Sequence, residues 1–222
     1  MNYTVPTLGT EYLPVSAHQA FQTKQFNKDL ELLAGVAQHE GPAVFTADYG
    51  YTPNDLTERG FHAIAQTFNA KFHNLNADNI TTFYMSSINK SDADQFAVNY
   101  GQQSAEYNVY FYEITYKRTP KSGPDVMGVT HGSELDFVFG LPLIDSQKTD
   151  TEVDKQFSRD VMKMWTDFVK YGKPTVDWPK LIDNKVKDYV PKAKELNPYR
   201  LWHNFDHLFN TTCNGFWKQY WN

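Results

Sequence analysis

The stretch YNVYFYEITY, Tyr107–Tyr116, decides the fold class. It is rich in aromatic and β-branched residues, which suit a pleated, half-buried surface, and it is the strongest strand candidate in the chain. Upstream, LELLAGV (Leu30–Val36) is a continuous apolar run with one charge, the pattern of a buried strand in a parallel sheet. Gly41-Pro42 ends that run and turns the chain, which leaves His39 and Glu40 just beyond a strand end. Between the two strands, Leu56–Phe72 carries Phe61, Ile64, Ala65 and Phe68 at helical spacing, with Asn54 or Thr57 as its cap. Downstream, Thr151–Gly172 is the clearest helix. Its Val153, Phe157, Val161, Met164, Trp165 and Phe168 recur on one face, Gly172 ends it and Pro174 prevents continuation. Strand, helix, strand and long helix make an α/β protein.

The remaining segments are read more coarsely. Residues 1–28 are irregular apart from a short helix at Ala17–Phe21, and the polar stretch Asn74–Asn99 takes no element. VDWPKLIDNKVKDYVP (Val176–Pro191) reads as a short edge strand or hairpin. The tail carries Leu201, Trp202, Phe205, Leu208 and Phe209 at helical spacing. Two strong strands are few for a complete sheet.

Composition narrows the function classes. The chain has 222 residues, enough for one domain with a sizeable core or for part of a larger one. Aromatic residues make up 16% of it, which argues for a packed core rather than disorder. The net charge is −5 with no basic block, so nucleic acid is not an expected partner. No apolar run approaches the roughly 18 residues of a membrane span. The N-terminus has neither the basic start nor the apolar core of a signal peptide. Four Asn-x-Ser/Thr triplets, at Asn2, Asn79, Asn89 and Asn210, are candidate glycosylation sites. The single cysteine, Cys213, has no partner for an internal disulfide.

The block VMGVTHGSELDFVFGLPL (Val126–Leu143) carries the chemistry. Gly128 and Gly132 give the backbone freedom around His131. A loop histidine can offer one ring nitrogen to a substrate while a carboxylate holds the other. Glu40 is a candidate for that carboxylate, and Glu134 and Asp136 are nearer ones in sequence. A Glu–His pair still needs a nucleophile. Neither Ser133 nor Ser104 sits in the G-x-S-x-G elbow of an α/β-hydrolase, and no HGGG-like oxyanion loop is present. His203 and His207 have a spacing that suits a metal, but without a third ligand in context, and aromatic packing or surface placement is the better reading. No glycine-rich nucleotide motif occurs, so no cofactor is expected.

These residues resemble the C-terminal part of the type-B carboxylesterases, the family that includes the cholinesterases. Four blocks carry the likeness: Val5–Gly41, Tyr107–Arg118, Gly128–Leu143 and Phe157–Pro179, with CNGFWKQYW similar to the family's terminal helix. The resemblance implies that residues 1–222 are the C-terminal portion of an α/β-hydrolase fold, with a sheet incomplete without upstream strands. It implies that Glu40 is the acid and His131 the general base of a Ser-Glu-His triad, with Glu134 supporting the histidine loop. The family's serine, oxyanion hole and most of its sheet would precede residue 1, so the chain alone is expected to be inactive. The parent reaction would be hydrolysis of a small carboxylic ester without metal or cofactor, in a secreted or lumenal protein. Cys213 matches a cysteine that in the cholinesterase branch pairs with an earlier one. The rival expectation is a non-catalytic, esterase-like adhesion or interaction domain.

Overall fold

A computed structural model describes residues 7–41, 57–72, 75–86, 108–118, 127–144, 150–206, 215–216 and 219. Their centre is a four-stranded sheet in the order β1-β2-β3-β4, made of β1 (Leu32–Ala37), β2 (Val109–Ile114), β3 (Lys192–Leu196) and β4 (Asn204–Asp206). Strands β1, β2 and β3 run parallel, and β4 returns antiparallel along β3. The sheet is mixed and open, as in a partial α/β-hydrolase core.

β2 is buried along its whole length, and its alternation sorts the core into two layers. Val109 and Phe111 face a cluster with Val36, Leu181 and Ala193, covered in part by Phe21 and Phe26. Phe21 lies in the short helix α1 (Ala17–Thr23), which Ser16 caps by accepting the Gln19 N–H at 3.2 Å. Tyr110, Tyr112 and Ile114 face the opposite way, onto Phe157, Val161 and Trp178. The Trp178 indole N–H donates to the Phe111 carbonyl at 3.1 Å, so its polar edge is satisfied inside the core.

Two further helices, α2 (Glu58–Phe72) and α3 (Ala77–Ser86), pack on each other. Thr57 does cap α2, its hydroxyl accepting the Gly60 N–H at 3.1 Å, and Ile64 and Ala65 are buried. Helix α3 lies inside the stretch that composition left without an element. Two short turns of helix, α4 (Leu135–Val138) and α5 (Leu141–Ile144), follow the histidine loop. The long helix α6 (Glu152–Tyr171) has the expected apolar face, with Phe157 and Val161 buried. Thr151 and Asp154 close a reciprocal cap: the Thr151 hydroxyl accepts the Asp154 N–H, and the Asp154 carboxylate accepts the Thr151 N–H at 2.8 Å. Gly172, at φ +67°, ends the helix in the left-handed conformation and donates its N–H to Phe168 at 2.8 Å.

Two sequence expectations fail at the far edge of the sheet. Val176–Pro191 forms neither strand nor hairpin. Pro179 and Pro191 lack an N–H, and Asp188 sits at φ +57°. Leu181 instead makes single backbone contacts, its N–H to Val109 O at 2.7 Å and its carbonyl from Lys192 N–H at 3.1 Å. The strand comes next, as KAKEL, whose charges mask it. Glu195 is fully buried yet accepts from the Thr115 hydroxyl at 2.6 Å, Arg200 at 2.5 Å and His203 Nδ1 at 2.7 Å. The expected tail helix is likewise not what residues 201–206 adopt. Asn197 turns the chain by accepting the Tyr199 N–H, and Asn204–Asp206 pairs with β3. An available strand edge outweighs a helical spacing of five side chains. Leu208, Phe209, His207 and Cys213 lie outside the described residues.

Candidate active site

The site forms where the chain leaves β1. Leu32 N–H donates to Asn108 O, and Gln38 N–H to Ile114 O, both at 3.0 Å. Strand amides alternate in direction, so the Ala37 N–H points to the opposite edge, away from β2. Glu40 takes that amide: its Oε1 accepts the Ala37 N–H at 2.7 Å. One carboxylate oxygen is thus fixed to the backbone it follows, and the other is left to face a partner.

The partner arrives from β2. After Arg118 the chain returns to the end of β1, where His39 forms an isolated parallel bridge with Thr130. His39 N–H donates to Val129 O at 2.8 Å, and Val129 N–H donates back to His39 Nδ1 at 3.1 Å. Gly128 permits this approach. It adopts φ +62°, and a Cβ there would lie 2.4 Å from His39 Nδ1.

His131 follows directly, and its Nδ1 lies 2.6 Å from Glu40 Oε2, across 91 positions of sequence. An ionised carboxylate can only accept, so the Nδ1 proton points at Glu40 and the Nε2 lone pair is left for a reactant. The His131 side chain is 72% exposed, whereas that of Glu40 is 25% exposed. The His131 ring is thus open to solvent while the carboxylate beside it is shielded.

The loop is anchored behind the ring. Ser133 commits its hydroxyl to the Thr130 carbonyl at 2.6 Å. Glu134 precedes α4, and its backbone carbonyl accepts the N–H groups of Phe137 and Val138. Its side-chain Oε2 is buried without a hydrogen-bond partner among the described residues. Tyr112 is pushed far above the usual phenol range by burial first, and then by the charges of Glu134 and Glu40, so it stays neutral. Its ring lies over Gly35, where a Cβ would come within 2.3 Å of it. Asp136 meets Arg118 at 3.2 Å, and Arg118 also pairs with both oxygens of Asp150 at 2.8 Å. Phe137 is fully buried against Phe157, and its carbonyl accepts the Ser158 hydroxyl at 2.9 Å.

The other candidate residues fall elsewhere. His203 has Glu195 on one ring nitrogen and lies edge-on to Trp202 and Phe205. Among the described residues, no group of three His, Cys, Asp or Glu side chains is placed to hold a metal ion. Asn79 is exposed in α3, and Asn2, Asn89, Asn210 and Ser104 lie outside the described residues. No helix among the described residues is long and apolar enough to cross a membrane. His39 was not anticipated as a site residue. Gly128, read only as freeing the loop before His131, is the signal that could have pointed to a close neighbour such as His39.

The geometry agrees with what comparison finds. The Carboxylesterase family profile matches residues 53–203, more than half of the chain. The chain belongs to the carboxylesterase family. The mouse (Mus musculus) cholinesterase is 27% identical over 191 residues, covering 76% of this chain and 31% of that protein. The Bungarus fasciatus acetylcholinesterase is 41% identical over 81 residues, covering 36% and 13%. The acetylcholinesterase 1 of Caenorhabditis elegans is 29% identical over 123 residues, covering 51% and 19%. This carboxylesterase family chain therefore spans about a third or less of the length of these curated relatives. The profile includes His131 and begins after Glu40, so contact between the two comes from the geometry alone.

Proposed function

We propose that residues 1–222 are the C-terminal part of a type-B carboxylesterase domain, and that Glu40 and His131 are the acid and base of its Ser-Glu-His triad. The observation that carries the reading is the 2.6 Å contact between His131 Nδ1 and Glu40 Oε2, with the rest of the ring open. In the complete enzyme a serine hydroxyl from an upstream segment attacks the carbonyl carbon of a carboxylic ester. Its proton passes to His131 Nε2, and Glu40 holds the imidazolium through Nδ1. The tetrahedral intermediate collapses as Nε2–H protonates the departing alkoxide. His131 then takes a proton from the water that attacks the acyl-enzyme, and returns it to the serine oxygen as the second tetrahedral intermediate collapses to the free acid and the free serine. Backbone N–H groups of the upstream segment stabilise the oxyanion. Glu134 supports the loop through its carbonyl, which accepts the Phe137 and Val138 N–H groups at the start of α4. An enzyme of this family working in a secreted or lumenal compartment would also account for the four glycosylation triplets.

The intact acid–histidine contact supports this reading over a non-catalytic adhesion domain, for which no geometry needs to be kept at that pair. The test is a simple aryl acetate offered to two proteins. The 222-residue chain is expected to show no turnover above buffer. The product of the coding sequence extended upstream of Met1 is expected to carry a G-x-S-x-G elbow and to hydrolyse the ester. Turnover by the shorter chain that His131→Ala abolishes would overturn the claim that the nucleophile lies upstream. An extended product without an elbow serine would overturn the reading as a whole.

A further inference from the structure

We infer that His39 is a positioning residue for the Glu40–His131 pair, its Nδ1 acting as the acceptor that fixes Val129 and so the loop carrying His131. The inference deepens the acid–base reading above and rests on it. His39 and Val129 exchange two hydrogen bonds, one through the backbone at 2.8 Å and one through the ring at 3.1 Å. Each partner is close to the pair in sequence: His39 immediately precedes Glu40, and Val129 precedes His131 by two residues. The ring and main chain of one residue therefore close a ring of contacts around the point where acid and base meet. Val129 is buried, so its amide needs a protein acceptor.

The chemistry demands one form of the His39 ring. Nδ1 accepts from an amide, so it carries no proton, and the neutral ring holds its proton on Nε2. This is the tautomer opposite to that of His131. Burial lowers the His39 pKa, which favours the same neutral form. Gly128 adds a steric argument. A side chain there would displace the imidazole, since its Cβ would fall 2.4 Å from Nδ1 and 2.8 Å from Cε1.

The test uses the full chain labelled with 15N, and reads two protons. One is the Val129 amide, by hydrogen exchange. The other is the His131 Nδ1 proton bonded to Glu40, by its downfield resonance. His39→Leu removes the acceptor, and His39→Asn restores an oxygen near the Nδ1 position. The leucine variant is expected to lose the His131 resonance and to exchange Val129 at least about tenfold faster, the equivalent of one ordinary hydrogen bond. The asparagine variant is expected to keep both. A folded leucine variant that keeps both signals overturns the inference, and so does an asparagine variant that restores neither. If the leucine variant does not fold, the 15N shifts of the unaltered chain decide: His39 protonated on Nδ1 overturns the inference. Glu40→Gln separates this inference from the acid–base reading. It should remove the His131 signal and leave Val129 protected. Absence of the His131 signal from the unaltered chain would count against the pair, while protection of Val129 would still report on His39.

Discussion

At the scale of single residues, two histidines on adjoining segments use Nδ1 in opposite ways. His131 presents Nε2 outward, and His39 turns Nδ1 inward to an amide. If the proposed triad holds, Glu40→Gln in the extended protein is expected to lower kcat by about 10⁴-fold through lost tautomer control, and His131→Ala by about 10⁶-fold through loss of the base. Initial rates with an aryl ester check this. His39 also predicts a pH dependence of stability. Its native pKa lies below the ordinary 6.5, so the unfolded chain takes up the proton first as pH falls. The stabilisation is therefore full above about 6.5 and is lost as pH drops through the lower native value. Urea midpoints at pH 7.5 and 5.0 should fall further for the unaltered chain than for His39→Asn, which has no proton to gain there. Of these residues, the strand-end position of Glu40 and the glycine-flanked loop of His131 were legible in the sequence, while their roles came only from the family resemblance and stand as proposed. His39 was not legible, because its role depends on a neighbour brought beside it only by the fold.

At the scale of elements, legibility follows how much of the sequence signal is local. Helix α6 declares itself through its apolar face, its cap and Gly172, all within the segment. Replacing Thr151 with Ala should lower stability by about 1 kcal/mol, read by urea denaturation, since it removes one half of the reciprocal cap. Phe137→Ala should cost about 3–5 kcal/mol, because the ring is fully buried between the histidine loop and α6. Strand β1 tolerates no side chain at Gly35, beneath Tyr112. Gly35→Ala is expected to lower stability by about 1–3 kcal/mol through overpacking, measurable in the same way. Strand β3 was not legible, because Lys194 and Glu195 are poor strand formers whose burial is supported by partners from other segments. Strand β4 depends in turn on β3, so helical spacing in its own residues misled.

At the scale of the whole molecule, β1 ends the described sheet with an apolar strand of the kind that parallel sheets bury on both sides. The amides of Leu33 and Gly35 point to that edge by alternation, and among the described residues no strand meets them. In the isolated chain they should exchange with solvent at least about tenfold faster than those of Ala34 and Val36, which face β2. The next outward amide is different, since the Ala37 N–H is already held by Glu40. A strand zipping onto this edge can therefore bond as far as Gly35 and no further without evicting the acid. A register that ran past that point would compete with Glu40 Oε1 for the Ala37 amide. The carboxylate thus acts as a stop at the end of the strand edge, marking where a further strand can pair and where it cannot.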